Sequence, residues 1–557
     1  MKFLESRRLT GPSLLGDRPG AVLDIACTAA EAQRLIPAWR KHVSRRLAEL
    51  GWQASELNVV TLAGGVSLYF SAAIDALYAA SAVNEWAWAA CDAELNGAEA
   101  PDEAASIAAI QNAIEEESNT ALLELQAAAA ANQASFLWDD ELASIGLGRH
   151  SSSWPVRQIP DAAAINWSQH GDIPVGLVTG TNGKTTTVRL ATHILRGARK
   201  NVGLCSTDWV AVNDHIIERG DWSGPGGART VLRQQNVDVA VLECARGGLL
   251  RRGLGVNVAD AALITNIAAD HLGDFGSQSL AELINIKWIV SRAVRETGRL
   301  ILSADDALLV AKAANYPGEL VWFSLHAENK TVGEHLEAGG TACVLDDQDL
   351  LLRHGATSEL ICRHSDIPLT LGGAARHNVA NALAAAALSW CLGATRDDIR
   401  RGLTSMTQGE NPGRSNLYDI AGRKVLVDFA HNPHAMRAVF EMAQALRAER
   451  RVLCFGQAGD RPDELIRELV REAWAIGLDR VIVSELADYY RGREPGAVYA
   501  LIQDELLRCG ANRSQIAHFD EELDSLAAAM AWAQPGDLVI MLALGDSAAV
   551  REHLEQW

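Results

Sequence analysis

The run Thr179-Gly180-Thr181-Asn182-Gly183-Lys184-Thr185-Thr186-Thr187 sets two glycines, one lysine and a series of hydroxyls within nine positions. Glycine lets successive backbone N–H groups turn towards one anion, and a helix starting there adds a favourable dipole. Read this way, Gly180, Thr181, Asn182, Gly183, Lys184, Thr185 and Thr186 cradle a nucleotide's phosphates. Lys184 reaches the β- and γ-phosphates, and the Thr185 hydroxyl takes a Mg²⁺ position. The general phosphate loop carries a glycine five residues before Gly183, where Val178 stands, so this is a shortened form, GTNGKTT. Glu243 closes the apolar run Asp238 to Leu242, and Asp270-His271 follows a second such run, Asp260 to Asn266. A hydroxyl and a carboxylate are hard oxygen donors suited to Mg²⁺. The chemistry these residues fit is phosphoryl transfer, which needs metal and cationic charge around a γ-phosphate.

The elements that must position them follow from patterning. Ile173 to Val178 reads as a buried strand and Val188 to Leu195 as a helix, so the loop joins strand to helix. Between Asp161 and Gly409 strands and helices alternate, as in a parallel α/β sheet. Ligands of such sheets bind at the carboxyl ends of strands, where Lys184, Glu243 and His271 all fall. Gly409 to Asn416 reads as a linker. Beyond it, Lys424–Asp428, Arg451–Phe455, Arg480–Ser484 and Asp537–Ala543 read as strands of a smaller, doubly wound α/β domain. The domains expected are therefore 1–160, 161–410 and 411–557, the first of α+β type.

In that first part, Gly20–Ile25 and Leu57–Leu62 read as strands, and Thr28–Leu50 as a helix carrying Arg34, Arg40, Lys41, Arg45 and Arg46. This cluster either holds an acidic chain or snorkels along a helix surface. Ser67–Leu95 reads as one alanine-rich helical stretch, with more helix from Asp102 to Gln133. Ser151 to Gln169 reads as a spacer.

The chain has 557 residues, enough for about three or four domains. A formal net charge of -20 argues against a nucleic-acid or anionic-membrane partner. Nine cysteines without a CxxC pair fit reduced thiols. The N-terminus lacks the apolar core of a signal peptide, and no apolar run spans a bilayer, so a cytoplasmic protein is expected.

The loop resembles that of the Mur ligase family, ATP-dependent enzymes joining an amino acid to a carboxylate. Leu242-Glu243-Cys244-Ala245-Arg246-Gly247-Gly248 and Thr265-Asn266-Ile267-Ala268-Ala269-Asp270-His271 resemble the Mur-type half of the cyanophycin synthetases. The resemblance implies a first Mg²⁺ at Thr185 and Glu243, a second assisted by His271, and a carbamate on Lys287. It implies nucleotide contacts from Asn266, Asn378, Asn381, Arg414 and Asp428, with Arg414 at the phosphates and His431-Asn432-Pro433 completing the last motif. Asp221, in Asp221-Trp222-Ser223-Gly224-Pro225, and His431 fall to the substrate. Arg246 either grips an acceptor carboxylate or serves its turn. Leu9-Thr10-Gly11-Pro12 resembles the N-terminal domain of cyanophycin synthetases, with binding of a polymer or partner as its implied task. Some members carry an HxxEH zinc motif there; no histidine lies between His42 and His150. Those enzymes also place an ATP-grasp ligase domain before the Mur-type half, and only the short spacer stands in its place here.

The function expected is an ATP- and Mg²⁺-dependent carboxylate–amine ligase working through an acyl-phosphate, adding an amino acid to a peptide or polyamide. A separate ATP-grasp or cyanophycin-synthetase-like ligase is a candidate partner, and self-association stays open. The alternatives are a catalytically reduced binding subunit of such a ligase, and a glutamate-adding ligase acting on folate or poly-γ-glutamate.

Overall fold

The structure, a computed structural model, describes residues 1–270 and 279–557. Its centre is a sheet of eleven strands with Val175–Thr179 in the interior, flanked by Val239–Glu243 and Ala259–Ile264. Register sets Glu243 beside Val178 and Ile264 beside Thr179, so three strand ends meet at the glycine loop. The three strands are apolar at nearly every position because both sheet faces are covered. Helices Lys184–Gly197 and Arg376–Cys391 contribute to one face, Pro225–Leu232 and Leu280–Lys287 to the other.

The sheet is mixed, which corrects the expectation of a parallel one. Its interior strands are parallel, but each edge ends in two antiparallel strands. Trp209–Val212 and His215–Arg219 turn through Asn213-Asp214, where Asn213 has φ 52°. Asp349–His354 and Thr357–Arg363 close the other side. An Asn-Asp pair between short apolar runs is a hairpin signal that the overall alternation had masked.

The last sheet runs Asn416–Ile420, Arg423–Asp428, Leu538–Leu542, Arg451–Phe455, Arg480–Ser484, Ile516–Phe519, parallel apart from its first strand. Apolar clusters pack on both its faces, giving the doubly wound form.

The first sheet has four antiparallel strands covered by Ala29–Glu49 and Leu77–Asn96. The single helical stretch expected over Ser67–Leu95 is wrong in its first part. Gly65–Ser71 is a fully buried strand, and the helix starts only at Leu77. Leu68, Tyr69 and Phe70 favour a pleated surface, and the alanines after them carried the reading too far. The Asp102–Gln133 stretch breaks at Ser118-Asn119, where Asn119 caps the second helix. The spacer also has structure: Ser152–Pro155 joins a small sheet with Phe136–Trp138 and Leu142–Ile145. The basic helix finds its partners within the chain. Lys41 pairs with Glu94, and Arg45 and Arg46 share Glu103.

Residues 10–12 lie along 252–254: the Thr10 N–H donates to the Arg252 carbonyl at 2.9 Å and that of Leu254 to Pro12 at 2.8 Å. A Cβ on Gly11 would stand 2.1 Å from the Leu254 carbonyl oxygen, so only glycine fits. Gly11→Ala is therefore expected to loosen this contact at a cost of about 1–3 kcal/mol. Limited proteolysis should then separate the first 160 residues from the remainder faster than in the parent; equal cleavage rates would refute this docking.

Candidate active site

Two glycines of the loop are required by space as well as by backbone. Gly180 has φ 146° and Gly183 φ 84°. A Cβ on Gly180 would lie 1.8 Å from Thr265 Oγ1, and one on Gly183 2.2 Å from Asn381 Oδ1. The loop is held open from the end of the neighbouring strand. Asn266 spends both amide heteroatoms on the Asn182 backbone, accepting from its N–H and donating to its carbonyl, each at 3.0 Å. Thr265 Oγ1 donates to the same carbonyl at 2.6 Å. The Lys184–Gly197 helix then begins with its free N–H groups facing the cleft.

Glu243 is only 1% exposed. Its two carboxylate oxygens accept hydroxyl protons from Thr185 at 2.9 Å and Thr207 at 2.8 Å. Lys184 Nζ donates to the Thr181 carbonyl at 3.0 Å, and Lys287 Nζ to that of Gly180 at 2.6 Å. Lys287 is buried, and burial first, then the Lys184 charge, pulls its pKa well below the usual lysine range. His271 lies outside the described residues. Its neighbour Asp270 stands 3.6 Å from His431 Nε2, while His431 Nδ1 donates to the Phe429 carbonyl at 3.0 Å.

The remaining sequence-derived residues reach the same cleft, of about 1310 Å³. Asn381 donates to Asn378 at 3.1 Å, and Asn378 to the Leu369 carbonyl at 2.9 Å, both side chains being buried. Asp428 accepts from the Ser415 N–H and hydroxyl at 2.7 and 2.9 Å. Arg414 stacks 4.6 Å from the Phe429 ring centroid. Asp221 accepts the Ser223 hydroxyl proton at 2.5 Å, and Arg246 opens the short helix after Glu243. All of them line this one cleft.

Sequence reasoning missed Thr207, Asp208, Arg189 and His434. Thr207 follows the strand Val202–Cys205 of the same sheet, so the strand-end rule applied to every strand would have found it. His434 Nδ1 lies 2.9 Å from Asn182 Nδ2, and Asn432 exchanges amide hydrogen bonds with Asn182 at 3.0 and 3.3 Å. The last domain thus rests directly on the phosphate loop.

The donor set fits Mg²⁺. Among the described residues no three His, Cys, Asp or Glu side chains converge. Mg²⁺ needs few protein ligands when phosphate oxygens and water supply the others, and Thr185 and Glu243 offer oxygen alone.

This strand–loop–helix site between two α/β sheets is that of a known class. Residues 178–389 match the Mur ligase middle domain and residues 413–545 the Mur ligase, glutamate ligase domain. These two matches together span more than half of the chain, which belongs to the Mur ligase family. Within it the chain is homologous to cyanophycin synthetases. It is 38% identical over 337 residues to that of Crocosphaera subtropica, covering 60% of this chain and 38% of the relative. The chain spans about two fifths of the length of such relatives. UDP-N-acetylmuramate–L-alanine ligase of Stenotrophomonas maltophilia is 27% identical over 390 residues, covering 68% of this chain and 73% of that one. E. coli FolC in complex with DHPP and ADP shares the fold, with TM-score 0.50, 21% identity, and coverage of 69% and 89%. No helix among the described residues is long and apolar enough to cross a membrane.

Lys287 gives a test with a definite sign. Its folded pKa lies below the 10.5 of the free side chain, so the unfolded chain binds a proton that the folded one does not. That penalty is largest well below pH 10.5 and fades as pH rises towards it. Lys287→Met should therefore raise Tm at pH 7 while impairing turnover, and its advantage should shrink on raising pH. A destabilised Lys287→Met at neutral pH, or a constant gap, would contradict a neutral buried amine.

Proposed function

We propose that the chain is an ATP- and Mg²⁺-dependent carboxylate–amine ligase that adds one amino acid to a peptide or polyamide acceptor. The observation that carries it is the meeting, in one cleft, of the phosphate loop, buried Glu243, Arg414 from the linker and Asp428 from beyond it. An acceptor carboxylate oxygen attacks the γ-phosphorus and ADP leaves. The amine nitrogen then attacks the acyl carbon, releasing phosphate and a proton. Bound Mg²⁺ would neutralise charge on the phosphates. Thr185 and Glu243 would hold it, with His271 assisting a second ion by resemblance.

Lys184 and Arg414 set cationic charge around the γ-phosphate, where charge spreads in the transition state. Gly180 to Thr186 cradle the phosphates, with Asn266 acting through the loop it clamps. Asn378 and Asn381 border the adenine side. Asp428 orients the nucleotide through the linker, and His431, Asp221 and Arg246 face the substrates. Lys287, once its ammonium has given up a proton, can add CO₂ at Nζ with release of a second proton, leaving a carbamate anion that would suit a metal site. Partial rescue of Lys287→Ala by a small carboxylate would accompany that modification. Closure of residues 411–557 over 161–410 keeps water from a hydrolysable acyl-phosphate.

The kinship with cyanophycin synthetases favours an aspartate-containing acceptor and an arginine or lysine donor. The first 160 residues then bind the polymer or a separate ATP-grasp ligase, raising the effective concentration of chain ends. A glutamate-adding function has the fold likeness to FolC and the family match of residues 413–545 behind it, whereas the Ala245-Arg246-Gly247-Gly248 and Asp221-Trp222-Ser223-Gly224-Pro225 strings resemble cyanophycin synthetases. A reduced binding subunit does not explain why Lys184, Thr185 and Glu243 are all retained in one arrangement.

The test is incubation with ATP, Mg²⁺, all amino acids and short aspartate-rich peptides, read by ADP release and mass spectrometry. Single additions are expected, and Lys184→Ala should cut ADP release at least about a hundredfold with unchanged circular dichroism. Near-parental turnover by that variant would sink the loop assignment. A ladder of two alternating residues without any partner would sink the single-addition reading.

A further inference from the structure

The turn Ser206-Thr207-Asp208 touches two parts of the cleft at once. Thr207 donates to Glu243, and one residue later the Asp208 carboxylate meets two guanidinium groups. These differ in their freedom. Arg189, on the helix that follows the phosphate loop, is buried and pairs with Asp208 through Nη2. Its Nη1 donates to Asn411 Oδ1 at 3.2 Å and to the Pro412 carbonyl at 3.3 Å. Its guanidinium lies 4.2 Å from the Trp209 ring centroid. Burial lowers its pKa to about 10, with the Asp208 charge opposing, so it stays cationic at neutral pH. Arg189 is thus fixed by the sheet, the linker and an aromatic face together.

Arg414 is held more loosely. Its guanidinium lies 4.6 Å from the Phe429 ring centroid and its Nη2 3.8 Å from Asp208, and among the described residues its Nη1 donates to the carbonyl of Gly413, in its own linker. The backbone on both sides is left-handed, with φ 73° at Gly413 and 53° at Ser415. A serine rarely adopts that conformation, and here its N–H and hydroxyl both bond Asp428, which fixes where the arginine starts.

We propose that Asp208 is a positioning residue for Arg414: anchored by buried Arg189, it holds the Arg414 guanidinium where a transferred phosphoryl group would meet it. This rests on the ligase reading above. A long side chain in a water-filled cleft samples many rotamers, and fixing one in advance removes that cost from the reaction. The pairing also suits an anionic ligand. A lone carboxylate at this place would repel phosphate, whereas two guanidinium charges on one carboxylate leave the cluster positive. The 3.8 Å separation leaves Arg414 donors for a phosphate oxygen.

Asp208→Asn keeps an oxygen for Arg189 but removes the charge shared with Arg414. The expected result is a folded protein with Tm lowered by several degrees, because buried Arg189 keeps a hydrogen bond but loses its counter-charge. With it should come a roughly tenfold loss in kcat and a KM for ATP changed less than about threefold, since orientation and not binding is impaired. In an Arg414→Ala background the same change should cost less than about twofold more, because both act through one guanidinium. Parental kcat in Asp208→Asn, or losses that multiply in the double variant, would overturn the proposal. Should Asp208→Asn not fold, Asp208→Glu, which moves the carboxylate while keeping its charge, is read by the same cycle. Lys184→Ala separates the two levels. If it retains turnover, the nucleotide site itself is misassigned; if it is silent while Asp208→Asn matches the parent, only the positioning role fails.

Discussion

The rest of the site depends on a carboxylate buried at the carboxyl end of an interior strand. Glu243 has almost no access to water, and the contacts to its oxygens are the hydroxyls of Thr185 and Thr207. Removing a carboxylate from water costs several kcal/mol, and two neutral donors offset only part of it. A hard cation at that point would offset more, which supports the Mg²⁺ position proposed at Thr185 and Glu243. The constraint propagates outward. Thr185 must begin a helix for its hydroxyl to reach Glu243, Gly183 must turn left-handed before it, and Asn266 and Thr265 must hold Asn182 so that the turn stays open.

The same logic accounts for the position of the last domain. A loop whose N–H groups point into a cleft gains from charges supplied on its far side. The linker supplies them by being tied at both ends. Asn411 donates to Thr186 on the phosphate-loop helix, and Ser415 is bound by Asp428 on the last sheet. Between those ties stands Arg414. The reciprocal amide pair of Asn182 and Asn432 adds a direct link from loop to domain. Displacement of either domain is therefore felt at the phosphate loop, so under the proposed function closure and nucleotide binding would be coupled.

Strand ends were the legible part of the sequence, because short apolar runs of strand length, bounded by turn residues, fit buried strands better than helices. They located Glu243 and the GTNGKTT loop, and they led to His271, which falls outside the described residues. Gly65–Ser71 was lost because alanine-rich sequence downstream dominated the helical pattern, and pairing with Gly20–Ala26 on one side and Leu57–Leu62 on the other makes those residues a strand. The edge hairpins were hidden for a related reason, since antiparallel additions leave the alternation of the interior untouched. Thr207-Asp208 escaped because the turn carries no glycine, and its importance lies in contacts to Glu243 and Arg189, distant in sequence. Arg189 escaped because an arginine within a helix ordinarily marks its exposed side, and here that side faces a linker and Trp209.

Arg189 and Lys287 are both buried cations beside the phosphate loop, and they resolve burial in opposite ways. Lysine carries its charge on a compact, strongly hydrated ammonium, so burial, and then the Lys184 charge, lowers the Lys287 pKa well below the usual lysine range. Its Nζ donates to the Gly180 carbonyl. A guanidinium is delocalised and more weakly hydrated, and Arg189 keeps its proton because Asp208, Asn411 and the Trp209 face replace water around it. Exchanging the two residue types would defeat both positions: a lysine at 189 could not bridge Asp208 and the linker together, and an arginine at 287 would bring a permanent charge against Lys184. The site thus has lysine where burial lowers the pKa and arginine where charge stays.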